Sequence, residues 1–323
     1  MIEFAKKDFK EQKIPESHGI FTFSDENKIL FAGITANLKA KINTFLSRNL
    51  EDENIFKMVS LTKEVSYEET ETFFNALVEK KKLFNKETPE YNRLIRLFEN
   101  YVYLGIDFRK PPFVKVTQDT QSELYFLGPF KDCFFLYDFL DTMGKLFCFP
   151  VCEDENYPCQ RYKLKKCSGW CLKENEEITK IILNSYMKPD DKLINEILKK
   201  HDKYFNELKF EKAETLKNQR KIIEKYYEII KFLHITKEIN LSFAEDEKKY
   251  KIENGILIEI LENSKTTYFP KLYFNYRDNE MMAFEKDQLA ERWIIYQHLK
   301  KNKLEQLNEI YKKSISKISE FFG

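Results

Sequence analysis

The sequence lacks any long hydrophobic run. Its first 13 residues, MIEFAKKDFKEQK, contain no apolar stretch of signal-peptide length. No other segment approaches the roughly 20 consecutive apolar residues that a membrane-spanning helix requires. The chain also lacks internal repeats and long low-complexity linkers. We therefore expect a cytoplasmic protein that has no membrane partner.

The sequence also lacks an excess of charge of either sign. Its 54 Lys and Arg residues stand against 53 Asp and Glu residues, which leaves a formal charge of +1. A surface for nucleic acid must then arise from an uneven distribution of basic residues. The overall charge therefore neither supports nor excludes DNA as a partner.

Aromatic residues are abundant, with 29 Phe and 18 Tyr. Aromatic rings can stack on bases, but we expect most of these to form hydrophobic core. With 323 residues, of which 42% are hydrophobic, the chain can bury a sizeable core. Its length suggests two domains, or three if they are small.

The first 100 residues predict a small unit of strands and helices. Two β-rich runs, residues 20–23 and 29–32, flank the sequence SDENK, which favours a hairpin. A helix should follow, with Thr35 as its cap. A second helix is predicted over residues 68–84. The first helix should bury one apolar face, formed by Leu38, Ile42 and Phe45.

Residues 101–190 predict extended segments followed by helices. The extended segments cover residues 112–116 and 124–127, and Gly128-Pro129 should end the second of them. Helices are expected over residues 134–147 and 176–187.

Residues 191–234 follow a heptad pattern, in which apolar positions are spaced alternately by four and three. The pattern breaks near residues 209–210, which predicts an antiparallel helical hairpin. One such hairpin cannot bury both its faces alone, so it needs a partner. Further on, Asn254-Gly255 is a strong signal for a β-hairpin, and residues 287–322 are helical and charged.

These patterns together predict the α+β fold class. Four parts are expected along the chain: a small α/β domain at 15–100, a cysteine-containing middle region at 101–190, the helical hairpin at 191–235 and a small mixed region at 236–323.

Two triplets near the N-terminus, Gly19-Ile20-Phe21 and Phe31-Ala32-Gly33, resemble the two signature triplets of the GIY-YIG nuclease domain. In that family a tyrosine of the second triplet acts as base toward the nucleophilic water. An arginine ten residues later stabilises the phosphate, and a glutamate on a later helix holds one divalent metal ion. The matching positions here are Phe31, Lys41 and Glu79. The resemblance therefore implies a catalytic site at these three residues, with Mg²⁺ or Mn²⁺ on Glu79 if the protein is active.

Two of these three positions depart from the family pattern. Phosphodiester hydrolysis needs a base for the attacking water, neutralisation of negative charge and a Lewis acid. Phe31 supplies none of these, and loss of the base alone removes on the order of 10² to 10⁴ in rate. Lys41 keeps a positive charge but not the planar fork of arginine. Tyr67 and Tyr91 are the candidates for a substitute base, so both absent and retained cleavage stay open.

Four of the six cysteines lie in the cysteine segment, residues 152–171, which reads CEDENYPCQRYKLKKCSGWC. In a reducing compartment such clustering indicates a metal or an iron-sulfur centre, and the alternative is four buried, reduced thiols. Four thiolates can close a tetrahedral Zn²⁺ site or hold a cubane cluster. The candidate ligands are Cys152, Cys159, Cys167 and Cys171.

The cysteine segment resembles the region after the nuclease domain of UvrC, the incision subunit of bacterial nucleotide excision repair. The resemblance implies a four-iron cluster on the four thiols, with Zn²⁺ as the alternative. Basic residues surround the thiols and could contact DNA phosphates or offset the charge of a cluster. The candidate DNA-binding residues are Arg161, Lys163, Lys165 and Lys166.

Residues 206–223, NELKFEKAETLKNQRKII, resemble the UVR motif found in UvrC and UvrB. In that family the hairpin packs against its counterpart on UvrB, which agrees with the unsatisfied face noted above. The alternative is a charged hairpin that packs within its own chain. The matching residues, implied to bind a UvrB-like protein, are Leu208, Phe210, Glu211, Ala213 and Leu216.

The three motifs follow the order of the UvrC family, and the overall pattern resembles its short, Cho-like members, which make only the 3′ incision. The resemblance implies a nucleotide excision repair protein that binds DNA and a UvrB-like partner, with impaired or absent catalysis. The alternatives are an active metal-dependent endonuclease with a substitute base and a non-catalytic adaptor. A weaker alternative is an unrelated regulator that reuses the scaffold with an iron-sulfur sensor.

Overall fold

The structure is a computed structural model that describes residues 2–5, 13–47, 52–149, 157–188, 191–270 and 282–322. The chain forms two compact units. The first consists of Met1–Glu99, Asn240–Leu272 and Ala290–Asn302, and the second of Asn100–Ile239, Tyr273–Leu289 and Lys303–Gly323. Each unit therefore draws on separate stretches of the chain. The four-part division expected from sequence patterns stays a prediction.

Mixed strands and helices confirm the α+β class. The strands are β1 (Ile2–Ala5), β2 (Gly19–Ser24), β3 (Ile29–Thr35), β4 (Glu64–Glu69), β5 (Val102–Ile106), β6 (Val114–Thr117), β7 (Tyr125–Phe130), β8 (Leu241–Glu245), β9 (Lys248–Glu253), β10 (Ile256–Glu262), β11 (Lys265–Tyr268) and β12 (Met282–Ala283). The helices are α1 (Leu38–Leu46), α2 (Glu53–Leu61), α3 (Phe73–Lys86), α4 (Glu90–Leu94), α5 (Cys133–Phe147), α6 (Gln160–Lys163), α7 (Asn175–Ile182), α8 (Lys192–Asn206), α9 (Phe210–Thr236), α10 (Leu289–Asn302) and α11 (Leu304–Phe322). A π-helical turn, Leu183–Met187, extends α7. None of the helices among these residues is long and apolar enough to cross a membrane.

The N-terminal sheet of the first unit has the strand order β1-β4-β2-β3, and its described pairings are antiparallel. The predicted strands at residues 20–23 and 29–32 are confirmed as β2 and β3. Phe21 faces Gly33 and Phe23 faces Phe31 across the two strands, so these residues share one face of the sheet. Helices α1 and α2 contribute buried residues to the same core. The predicted apolar face of α1, formed by Leu38, Ile42 and Phe45, is confirmed, and α2 adds Met58.

Two helix starts differ from the sequence prediction. Asn37, not Thr35, caps α1, because its Oδ1 accepts a hydrogen bond from the backbone N–H of Ala40 at 2.8 Å. Thr35 is still the last residue of β3. The second helix begins at Phe73 rather than at residue 68, because Glu64–Glu69 pair as a strand between β1 and β2.

The C-terminal sheet, which we define as β8–β11, belongs to the first unit and has the antiparallel order β11-β10-β9-β8. The hairpin predicted at Asn254-Gly255 is confirmed as the turn between β9 and β10. Both turn residues have positive φ angles, 49° and 71°, as a tight hairpin requires. Helix α3 packs against this sheet and against α10, since the ring of Phe74 stacks on His298 with a centroid distance of 4.3 Å and meets Tyr250 at 5.1 Å.

The second unit contains a sheet with the order β12-β7-β5-β6. Gly128-Pro129 was expected to end an extended segment, but it lies inside β7. The β5–β7 register shifts between Val102 and Leu104, opposite this dipeptide, and such a bulge lets a strand accommodate the missing N–H of proline. The predicted helix over residues 134–147 is confirmed as α5.

Helices α8 and α9 confirm the predicted helical hairpin. The end of α9 is buried, and His234 there is enclosed by polar partners. Its Nδ1 lies 2.9 Å from the hydroxyl of Ser314, and its Nε2 lies 2.5 Å from the carbonyl oxygen of Met187. Because the carbonyl can only accept, Nε2 carries the proton and the neutral ring satisfies both contacts. Burial lowers the pKa of His234 to about 4.

Candidate functional site

Phe31, at the position of the family's base, lies in an aromatic cluster that we define as Phe21, Phe23, Phe31 and Phe45. Its ring is 4% exposed. The centroid distances from Phe31 to Phe21, Phe23 and Phe45 are 6.2, 6.4 and 5.2 Å. These side chains carry no oxygen or nitrogen, so the cluster offers no group that can take a proton from water.

Lys41 meets the aromatic cluster through Phe45, which lies one helical turn further along α1. The Nζ atom of Lys41 is 5.3 Å from the centroid of the Phe45 ring, a distance at which the ammonium is attracted to the ring face. The structure therefore brings Phe31 and Lys41 to the same aromatic ring. Sequence reasoning treated Phe45 only as core, although its i+4 spacing from Lys41 could have identified it.

The two glycines kept from the signature triplets lie where no side chain fits. A Cβ atom built on Gly33 would lie 2.4 Å from Cζ of Phe21 on the neighbouring strand. A Cβ atom on Gly19 would lie 2.3 Å from the carbonyl oxygen of Glu68. Both glycines are thus required by close packing across the sheet, independently of any chemistry.

Asn92 is a structural neighbour of the second triplet that sequence reasoning missed. Its Nδ2 donates to the carbonyl oxygen of Ala32, and its Oδ1 accepts from the backbone N–H of Ala32, both at 2.8 Å. Because β3 is an edge strand of its sheet, the amide supplies the hydrogen bonds that a further strand would make. The contact depends on how the segment after Pro89 packs against the edge of β3. A single sequence gives no signal for such a long-range contact.

The two tyrosines considered as substitute bases are buried with the aromatic cluster. Tyr67 faces Phe21 across β2 and β4, and Tyr91 lies on α4; each is 4% exposed. A general base must lie within hydrogen-bond reach of the water that it activates. Their burial therefore gives neither tyrosine ready access to solvent.

Glu79 lies in different surroundings from Phe31 and Lys41. Among the described residues, its helix, α3, adds no buried side chain to the core around the aromatic cluster. The Nζ atom of Lys82 lies 3.2 Å from the carboxylate of Glu79 and 2.9 Å from that of Glu262 in the C-terminal sheet. Glu262 also pairs with Lys248 at 3.1 Å. The predicted metal ligand is thus one end of a chain of ion pairs.

The pKa values in this chain of charges follow from its contacts. Burial works to lower the pKa of Lys82, but the hydrogen bonds and charges of Glu262 and Glu79 outweigh burial and raise it above its ordinary value. The hydrogen bond from Lys82 in turn lowers the pKa of Glu262. Both effects favour the charged forms, so the ion pairs persist at neutral pH.

Glu79 also lines a small open pocket between α3 and the C-terminal sheet. Tyr250 lines the same pocket, and burial, followed by the surrounding carboxylates, raises its pKa to about 12. Its phenol stays protonated and is unsuited to act as a base. The lining residues are Glu68, Glu69, Thr70, Glu71, Asn75, Val78, Glu79, Lys248 and Tyr250.

The residues around Glu79 do not fit a divalent cation as they are arranged. Within the described parts of the chain, no three His, Cys, Asp or Glu side chains are placed to hold a metal ion, so a cation here would depend on the carboxylate of Glu79 and on water. The charge of Glu79 is already met by Lys82. A cation bound at Glu79 would therefore also have to displace or repel this ammonium.

Three of the four candidate cluster ligands are described, and Cys152 lies outside the described residues. Burial raises the pKa of the Cys171 thiol, and the charges of Cys159 and Cys167 raise it further, so both lie within electrostatic range of Cys171. They do not converge into a closed metal site among the described residues. The iron-sulfur cluster therefore stays a prediction.

The basic residues of the cysteine segment lie on α6 and the turn after it. Lys163, Lys165 and Lys166 are exposed, and Arg161 is half-buried with its Nε atom enclosed. Trp170 is buried, and its indole N–H donates to the carbonyl oxygen of Cys148. The indole therefore packs inside the protein and is not free to stack on a base.

The residues of the UVR-like motif divide into an exposed and a buried group. Leu208 and Phe210, at the turn between α8 and α9, are 74% and 55% exposed, and Glu211 is exposed as well. Ala213 and Leu216 are buried within the protein. Only the exposed group is available to a partner.

Comparison with known proteins finds similarity to one family. Residues 17–93 match the family model described as the UvrC-like GIY-YIG domain. The UvrABC system protein C of Fusobacterium nucleatum is 29% identical over 223 residues, which are 64% of this chain and 37% of that protein. The protein of the same name from Methanococcus maripaludis is 26% identical over 314 residues, 92% of this chain and 58% of that protein. The chain thus spans from about a third to somewhat over half of the length of these relatives.

Solved structures of one relative also match part of this chain. The GIY-YIG N-terminal endonuclease domain of UvrC from Thermotoga maritima, as a point mutant bound to its catalytic divalent cation, is 22% identical with a TM-score of 0.26. The match covers 29% of this chain and 100% of that domain. The same domain with magnesium is 21% identical with a TM-score of 0.25 and covers 28% of this chain and 99% of that domain.

The first unit thus contains a GIY-YIG domain of the UvrC type. Beyond this domain, the chain is similar in sequence to the UvrABC system protein C over the matched residues.

Proposed function

We propose that this protein is a Cho-like component of nucleotide excision repair that binds damaged DNA and a UvrB-like partner, and whose GIY-YIG domain has lost hydrolysis. The observation that carries the proposal is the aromatic cluster: the position of the base is a buried phenylalanine among other phenylalanines. Its relatives are named for the UvrABC system, which supports the pathway.

The chemistry at the three family positions supports the loss of hydrolysis. Phe31 cannot accept a proton, and Tyr67, Tyr91 and Tyr250 are poorly placed to replace it. Lys41 keeps one positive charge for a phosphate without the bidentate grip of arginine. A divalent cation, when bound, would supply a Lewis acid, but Glu79 is already paired with Lys82. Lys41 then serves to bind a DNA phosphate that is not cleaved.

The incision of a lesion-containing duplex tests this proposal. With a UvrB protein and Mg²⁺ or Mn²⁺ present, we expect no cleavage by the natural protein. The variant Phe31→Tyr/Lys41→Arg restores the family residues and measures how much activity these two positions control. Cleavage by the natural protein would overturn the proposal and identify an active endonuclease with a substitute base.

We infer that the exposed turn of the helical hairpin binds the UvrB-like partner. Leu208 is largely exposed, and replacing it with aspartate leaves the buried body of the hairpin intact. Leu208→Asp should weaken co-purification with a UvrB protein at least tenfold. Leu304→Asp is the matched control, because Leu304 is also an exposed leucine near a helix start. Equal binding by both variants would refute the role of the turn.

We further propose that Cys152, Cys159, Cys167 and Cys171 hold a four-iron cluster. The placement of Cys159 and Cys167 within electrostatic range of Cys171 supports this ligand set, and the exposed Lys163, Lys165 and Lys166 of the same segment suit DNA phosphates. Anaerobically purified protein should be brown and contain iron and sulfide. Colourless protein with stoichiometric zinc would contradict the iron-sulfur assignment.

A further inference from the structure

Two consecutive lysines on α3 are held by carboxylates from the last third of the chain. Lys81 pairs with Glu291 of α10 at 2.6 Å, and Lys82 pairs with Glu262 of β10 at 2.9 Å. The side chains of Lys81 and Glu291 are 16% and 19% exposed, and Glu291 also accepts the backbone N–H of Leu257 at 3.0 Å. These contacts fix the segment of α3 just beyond Glu79 within the first unit.

Lys82 has a second contact that Lys81 lacks among the described ion pairs. Its ammonium lies between Glu262, at 2.9 Å, and Glu79, at 3.2 Å. The side chain is 26% exposed, against 37% for Glu79 and 34% for Glu262. Partial burial of this kind weakens solvent screening of the charges. Among the described ion pairs, Lys82 is therefore the cation that pairs with Glu79.

The partner of Lys82 is held by the hydrophobic core between α3 and the C-terminal sheet. The ring of Phe74, one and a half turns before Glu79, packs against Tyr250 of β9 and His298 of α10. Glu262 ends β10, the strand between β9 and β11. The carboxylate of Glu262, which holds Lys82, is therefore fixed in position by a strand of a packed sheet.

We propose that the Lys82 ammonium, held by Glu262 of the C-terminal sheet, is a built-in counter-ion that takes the place of a divalent cation beside Glu79. The inference rests on the proposed function, because it accounts for the disagreement between the family's metal position and the residues found here. A divalent cation on the same carboxylate would face the positive charge of Lys82 at close range. Mg²⁺ also requires an open octahedral shell that is mostly water.

The inference predicts that removing one ammonium creates a cation site. Without Lys82, the carboxylate of Glu79 loses its ion pair and shares its pocket with Glu68, Glu69 and Glu71, while Glu262 keeps Lys248. The variant Lys82→Met keeps most of the side-chain volume and removes the charge. It should bind Mn²⁺ at least tenfold more tightly than the natural protein, and Lys82→Met/Glu79→Gln should lose the gain.

The experiment measures Mn²⁺ binding to the full chain by electron paramagnetic resonance, with the Mn²⁺-dependent shift of thermal unfolding as a second reading. Lys81→Met is the matched control: it removes the neighbouring ion pair with Glu291, and it should show no gain. Lys82→Arg keeps the positive charge and should also bind as the natural protein does. A folded Lys82→Met variant without tighter binding would overturn the inference.

The natural protein provides a test that does not depend on the folding of Lys82→Met. The natural chain and Glu79→Gln should bind Mn²⁺ equally, because Glu79 takes no cation in either. Weaker binding by Glu79→Gln would overturn the inference even if no DNA is cut. Conversely, DNA cleavage without a Mn²⁺ site at Glu79 would refute the proposed function and leave the counter-ion in place.

Discussion

Replacing Phe31 with alanine tests whether Phe31 stabilises the hydrophobic core or serves catalysis. The ring is 4% exposed and has three aromatic neighbours with centroids 5.2 to 6.4 Å away. Burying a phenylalanine side chain contributes about 1.5–3 kcal/mol, and the cavity and the lost ring contacts add to this. Phe31→Ala should therefore lower the free energy of unfolding of the first unit by about 3–5 kcal/mol.

The assay needs a signal from the first unit alone, because two units need not unfold together. Each unit contains one tryptophan, Trp293 in the first and Trp170 in the second. In a Trp170→Phe background, the fluorescence of Trp293 during urea unfolding reports on the first unit. The control is Phe56→Ala, since Phe56 is 60% exposed on α2 and its loss should cost no more than about 0.5 kcal/mol. A loss below about 1 kcal/mol for Phe31→Ala would refute the description of Phe31 as core.

Three further predictions test the packing inside each of the two units. Gly33→Ala places a Cβ atom 2.4 Å from the enclosed ring of Phe21 and should destabilise the first unit by about 1–3 kcal/mol in the same assay. Asn92→Asp removes the N–H that donates to Ala32 and turns a carboxylate oxygen toward its carbonyl, which should cost about 1–3 kcal/mol in urea unfolding. Because the pKa of His234 is about 4 in the folded state and near 6.5 unfolded, the unfolded chain binds more protons between these values. The second unit should lose about 3 kcal/mol as pH falls through that window, and His234→Gln should remove this dependence; a pH profile equal in both proteins would contradict the burial of His234.

The local features of the fold followed from sequence because their causes are local. The hairpin at Asn254-Gly255 depends on turn residues, and the helical hairpin α8–α9 on heptad spacing, so both were predicted. The predicted start of the second helix was wrong, because Glu64–Glu69 form a strand through pairing with β1 and β2. Strand propensity in so short a run is weaker than its tertiary context.

The candidate site was predicted only in part for a related reason. The resemblance to the GIY-YIG domain identified Phe31 and Lys41, and the structure shows that both lie against the ring of Phe45. The partner of Lys82 could not be found in the sequence, because Glu262 is 180 positions away and one acid among many. Such pairs are set by the packing of distant elements and leave no local pattern.

The measurement that tests the central claim most directly is single-turnover incision of a lesion-containing duplex by the natural protein and by Glu79→Gln, with a UvrB protein and saturating Mg²⁺. The loss of the base at Phe31 and the ion pair at Glu79 predict that neither protein incises the duplex above the background without protein. Incision by the natural protein that Glu79→Gln abolishes would contradict this account, because it would require both a working base and a metal ion on Glu79.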